Sequence, residues 1–182
     1  PGEIVKVHTG FKFTEGPAVD VEGAVYFTDI PNNRIHKIAL DGTLSTVLEN
    51  SEACNGLMVD AKGQLIACQG GTGRVISIDP ATKKISVIAD NAGGKIKKPN
   101  DLVIDAKGGV YFTDPDEKSV YYAAAGQVAC VINDLPRPNG VLLSPDEKTL
   151  IVLPSGSPDV MVYEVQSPGK LGPARKLTTL EQ

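Results

Sequence analysis

The chain has 182 residues, 41% of them hydrophobic and 22% charged, with 19 Gly, 13 Pro, no Trp, two His and three Cys. A net charge of −4 leaves no basic footprint for nucleic acid, and the strand-length apolar runs exclude a membrane-spanning helix. Cys54, Cys68 and Cys130 lack any C-x-x-C spacing, which argues against structural zinc, and Cys68 and Cys130 read as small buried strand residues. Neither His8 nor His36 accompanies a Ser or Cys in a nucleophile motif. The sequence begins with Pro1 and shows no signal segment, so the compartment stays open between cytoplasm, periplasm and exterior.

The first predicted element is the alternation Ile4-Val5-Lys6-Val7-His8 within residues 1–14, which suits a lone outer strand that closes a blade. Four repeat units follow, at 15–54, 55–99, 100–138 and 139–182. Each opens on a short apolar run, from Glu15, Asn55, Asn100 and Asn139, with starts 40, 45 and 39 residues apart. That period belongs to propeller blades. Asp20 to Gly23, Asp60 to Gly63 and Asp105 to Gly108 then form Asp-x-x-Gly turns, the Gly supplying positive φ. Second strands are expected at Val25–Thr28, Leu65–Cys68, Val110–Thr113 and Leu150–Leu153, rich in β-branched and aromatic residues. Third strands follow at Arg34–Ala39, Arg74–Ile78, Val120–Ala123 and Val160–Val165, and fourth strands at Thr43–Leu48 and Ile85–Ala89. Four antiparallel strands per unit and no helical period predict an all-β propeller.

The chemistry lies at the first position of each unit. In a ring, equivalent positions of successive blades converge on the central channel, so Glu15, Asn55, Asn100 and Asn139 would bring four oxygen donors to one axial point. Hard oxygen ligands without His or Cys suit Ca²⁺, and less well Mg²⁺ or Mn²⁺. Any single Asn here also suits a turn, whereas Glu15, before Gly16-Pro17, has no such role. Asp29 and Asp114 close the repeated Phe-Thr-Asp runs and read as strand-end hydrogen-bond acceptors, and Lys95-Ile96-Lys97-Lys98 reads as a solvated loop.

Glu15-Gly16-Pro17, Pro99-Asn100-Asp101 with Phe112-Thr113-Asp114-Pro115, and Pro138-Asn139-Gly140 together resemble the senescence-marker/gluconolactonase family of six-bladed β-propellers. About four of the six blades are represented in this chain. The resemblance implies a divalent cation, usually Ca²⁺, with Glu15 and Asn139 as metal ligands. It also implies Asn100 as a ligand or substrate contact, and Asn55 as a weaker substrate contact. The family's Asp base comes from a later blade than the sequence reaches, and Asp101, which follows Asn100 at the expected channel, is the one candidate for a substitute base.

The function so implied is Ca²⁺-dependent hydrolysis of a sugar lactone or related ester, or alternatively of a phosphotriester. A non-catalytic binding or scaffold propeller, or an inactive fragment of such an enzyme, is the rival reading. The partner expected is a small-molecule lactone or ester. Blade faces left open would be covered by a second copy or a complementing chain.

Overall fold

A computed structural model describes residues 2–91 and 94–181. Pro1, Ala92, Gly93 and Gln182, which the sequence reading assigns to the closing strand, the second unit and the fourth unit, lie outside the described residues.

Sixteen strands and no helix are found among the described residues. The first sheet holds β1 (Thr14–Val19), β2 (Val25–Asp29), β3 (Arg34–Ile38) and β4 (Leu44–Glu49). The second holds β5 (Cys54–Val59), β6 (Leu65–Gln69), β7 (Arg74–Ile78) and β8 (Ile85–Ala89). The third holds β9 (Leu102–Ile104), β10 (Val110–Asp114), β11 (Ser119–Ala124) and β12 (Gln127–Ile132). The fourth holds β13 (Pro138–Leu143), β14 (Thr149–Pro154), β15 (Asp159–Ser167) and β16 (Lys170–Thr179). Every sheet is a four-stranded antiparallel meander in sequence order, so each is built from one contiguous stretch of chain. The protein is an all-β, partial β-propeller.

The Asp-x-x-Gly turns carry these meanders. Gly23, Gly63 and Gly108 take φ of 84°, 76° and 82°. The carboxylates of Asp20, Asp60 and Asp105 each accept two backbone N–H groups from the turn that follows. Such a turn joins strands of matching twist and leaves no donor stranded.

The innermost strands β1, β5, β9 and β13 pack side by side in that order. Three apolar cores form where sheet faces sheet. Tyr26, Ile35, Leu57 and Ile76 fill the first. Ile66, Val75, Val110 and Phe112 fill the second, and Tyr111, Val120, Leu150 and Val152 the third. Among the described residues no fourth core joins the last sheet to the first. The arrangement is therefore an open arc.

Two sequence expectations change. Ile4–His8 forms no strand; Ile4, Val5 and Val7 are exposed. A lone strand gains little until a sheet edge satisfies its backbone, and among the described residues no strand pairs with it. The segment instead folds along the far face of the first sheet. Phe11 packs edge-on against Phe27 at 4.9 Å and lies over His36, while the His8 Nε2 is 2.8 Å from the Gly42 carbonyl. Cys130 is exposed, because β12 is the outermost strand of its sheet and no neighbour covers it; Cys68 is buried as expected.

Candidate functional site

Each site residue sits where its innermost strand is irregular. The register slips between Glu15 and Ala18 in β1, between Cys54 and Leu57 in β5, and between Pro138 and Gly140 in β13. β9 begins only at Leu102, so Asn100 and Asp101 lie just before it. A bulge re-aims side chains relative to the pleat. The same device recurs at the channel end of three blades, and Pro99 and Pro138, both buried, stiffen two of the approaches.

Glycines let these segments close on one another. Gly16 takes φ of 53°, and a Cβ there would strike the Asn55 carbonyl. A Cβ on Gly56 would stand 2.7 Å from both the Asn100 carbonyl oxygen and Asp101 Oδ1. Without it, the Gly56 N–H donates to the Asn100 carbonyl at 2.8 Å, joining the second blade to the third.

Glu15, Asn55, Asn100, Asp101 and Asn139 are all partly exposed. Asp101 is pushed up to about 6 by burial, and the negative charge of Glu15 adds to the shift. The two carboxylates therefore feel each other across the first three blades. Asn55 Oδ1 is buried without a hydrogen-bond partner. A buried acceptor left without a donor is costly, and a bound ion, a water or a hydroxyl of a substrate would each satisfy it. Among the described residues no cluster of three or more His, Cys, Asp or Glu could hold a metal. A cation here would depend on amide oxygens as much as on charge, a hard donor set that fits Ca²⁺.

Asp29 and Asp114 are fully buried and work on the backbone. Asp29 accepts from the N–H groups of Lys12 and Phe13, and Asp114 from those of Lys97 and Lys98. The Lys95–Lys98 loop is thus pinned rather than simply solvated: Ile96 enters the second core, and Lys97 pairs with Glu117.

Sequence reasoning missed the threonines of the same runs. The buried Thr28 hydroxyl donates to the Asn55 carbonyl at 3.2 Å, and that of Thr113 to the Asn139 carbonyl at 2.8 Å. The signal was present in the repeated Phe-Thr-Asp, where attention falls on the carboxylate.

Residues 13–182 match the model of the SMP-30/Gluconolactonase/LRE-like region. The chain belongs to this family. A gluconolactonase of Zymomonas mobilis is 32% identical over 199 aligned positions, covering 91% of the chain and 56% of the relative. The solved structure of a gluconolactonase from Xanthomonas campestris superposes with a TM-score of 0.86 at 26% identity, covering 96% of this chain and 65% of that one. Regucalcin of Agrobacterium tumefaciens, described as a calcium-binding protein, shares the fold at a TM-score of 0.77 and 19% identity, with 92% and 60% covered. The chain thus spans about half the length of the curated relatives it matches.

Proposed function

We propose that these blades form one wall of the catalytic channel of a divalent-cation-dependent lactone hydrolase, with Ca²⁺ the cation and a sugar lactone the substrate. One observation carries the reading. Five oxygen-bearing residues at or beside equivalent repeat positions line one end of the innermost strands, and one of their oxygens, Asn55 Oδ1, is buried and unpartnered. The gluconolactonases among the relatives support a lactone over a phosphotriester as substrate.

In this reading Glu15, Asn139 and Asn100 hold the cation, and Asn55 together with Asn100 orients the substrate. A bound cation supplies positive charge that polarises the lactone carbonyl. Asp101 takes the proton from the water whose oxygen attacks the carbonyl carbon. The ring C–O bond then breaks, and the proton passes from Asp101 to the departing alkoxide, leaving a hydroxy acid. A further sheet or a second copy of the chain, set between the first and fourth sheets, completes the channel wall.

The test combines calorimetric Ca²⁺ titration with lactone hydrolysis followed by acid release, on the intact protein. Glu15→Gln is expected to abolish the binding heat, and Asp101→Asn to lower kcat by about 10²–10⁴-fold while leaving the heat in place. Equal binding by wild type and Glu15→Gln removes the metal site. Full turnover in Asp101→Asn removes its role as base, and faster hydrolysis of an aryl phosphotriester than of any lactone reverses the substrate assignment.

A further inference from the structure

The hydroxyl of Thr113 bonds to the backbone of two residues of the proposed site. It accepts the Asp101 N–H at 3.1 Å and donates to the Asn139 carbonyl at 2.8 Å. One oxygen thereby links the backbone of the proposed base, at the start of the third blade, to the backbone of a proposed ligand in the fourth. Further backbone bonds fix the Thr113 end: its N–H donates to the Asp101 carbonyl, and its own carbonyl accepts the Asn100 N–H at 2.8 Å. The residue is fully buried.

The equivalent positions in the other blades show what this link does. In the first blade Thr28 makes the donor half alone, to the Asn55 carbonyl. In the second blade the position is Cys68, in the core between the second and third sheets. There the corresponding carbonyl, that of Asn100, is held by the Gly56 N–H instead. So each asparagine carbonyl is tied to the preceding blade by a bond across the seam, and among the described residues the Thr113 hydroxyl is the one of these groups that bonds directly to two site residues.

From this, and resting on the channel reading above, we infer that Thr113 is a positioning residue that sets Asp101 relative to Asn139. Its side chain touches neither substrate nor cation; it acts through the two backbones. Outer partners of this sort alter metal affinity by about 10–100-fold when lost. Thr113→Val keeps the shape and removes the hydroxyl, whereas Thr113→Ser keeps the hydroxyl.

The experiment uses the intact protein with two readouts: Ca²⁺ affinity, and amide hydrogen exchange at Asp101. Thr113→Val is expected to weaken Ca²⁺ binding by about tenfold and to speed exchange at Asp101 by a similar factor, with the amides of β11 unchanged. Thr113→Ser is expected to restore both. Wild-type exchange at Asp101 in Thr113→Val overturns the inference, as does equal acceleration throughout the third sheet. If wild type and Glu15→Gln bind Ca²⁺ alike, the metal reading fails, and exchange at Asp101 still decides the role of Thr113.

Discussion

Asp29 keeps its charge in a fully buried position. Burial works against that charge. The N–H of Phe13, the Asn32 amide and the N–H of Lys12 outweigh it, with help from His36, so the carboxyl lies below its ordinary value. A carboxyl depressed on folding contributes stability above its unfolded pKa of about 4, and loses it as pH falls through the folded value. Stability of the wild type should therefore fall below about pH 4. In Asp29→Ala that acid-side slope should flatten, with roughly 1–3 kcal/mol already lost at neutral pH from donors left unpaired. Urea unfolding at a series of pH values measures both; a slope unchanged by the substitution would show that other groups carry the acid transition.

The hairpins look alike in sequence and differ in structure. Asp60 and Asp105 close equivalent turns, each accepting two turn N–H groups. Asp105 is also buried and accepts the Tyr122 hydroxyl at 2.7 Å, against the Tyr111 ring. Asp105→Ala is expected to cost about 3 kcal/mol, because it strands two buried donors, and Asp60→Ala no more than about 1, since water replaces its carboxylate. Thermal unfolding of the pair checks the difference. At this scale the strands were legible because alternation and Asp-x-x-Gly turns are local signals. Arg74–Ile78 and Ile85–Ala89 match their expected limits. Ile4–His8 and Cys130 were not legible, since alternation cannot say whether a neighbouring strand exists to cover it. Glu15, Asn55, Asn100 and Asn139 could be found from their repeat positions, but the bulges that aim them and the Thr113 link depend on contacts between blades.

For the molecule as a whole, four sheets share three cores. The second and third sheets are covered on both faces by neighbouring sheets; the first has a sheet on one face and Phe11 of the N-terminal segment against the other, and the fourth has a sheet on one face only. Every residue of β6 and β10 is buried, whereas β14 alternates between buried and open positions, with Leu153 40% exposed. In stacked repeats, stability is close to a sum of unit and nearest-neighbour terms. Amides of β6 and β10 should thus exchange slowest, with those of β14 faster by about tenfold or more. Uniform protection across the four sheets would show that the arc unfolds as a single cooperative unit.

The contiguous meanders have a consequence for biosynthesis. Since no strand is borrowed from a distant part of the sequence, each sheet can form as its own forty or so residues leave the ribosome, and successive sheets can dock in order. The proposed donors then arrive one at a time, with Asn139 last. Its carbonyl meets Thr113 only when the fourth sheet settles on the third. A chain released before residue 138 would carry the strands of three sheets and Asp101 but lack Asn139, and could not hold a cation at full strength.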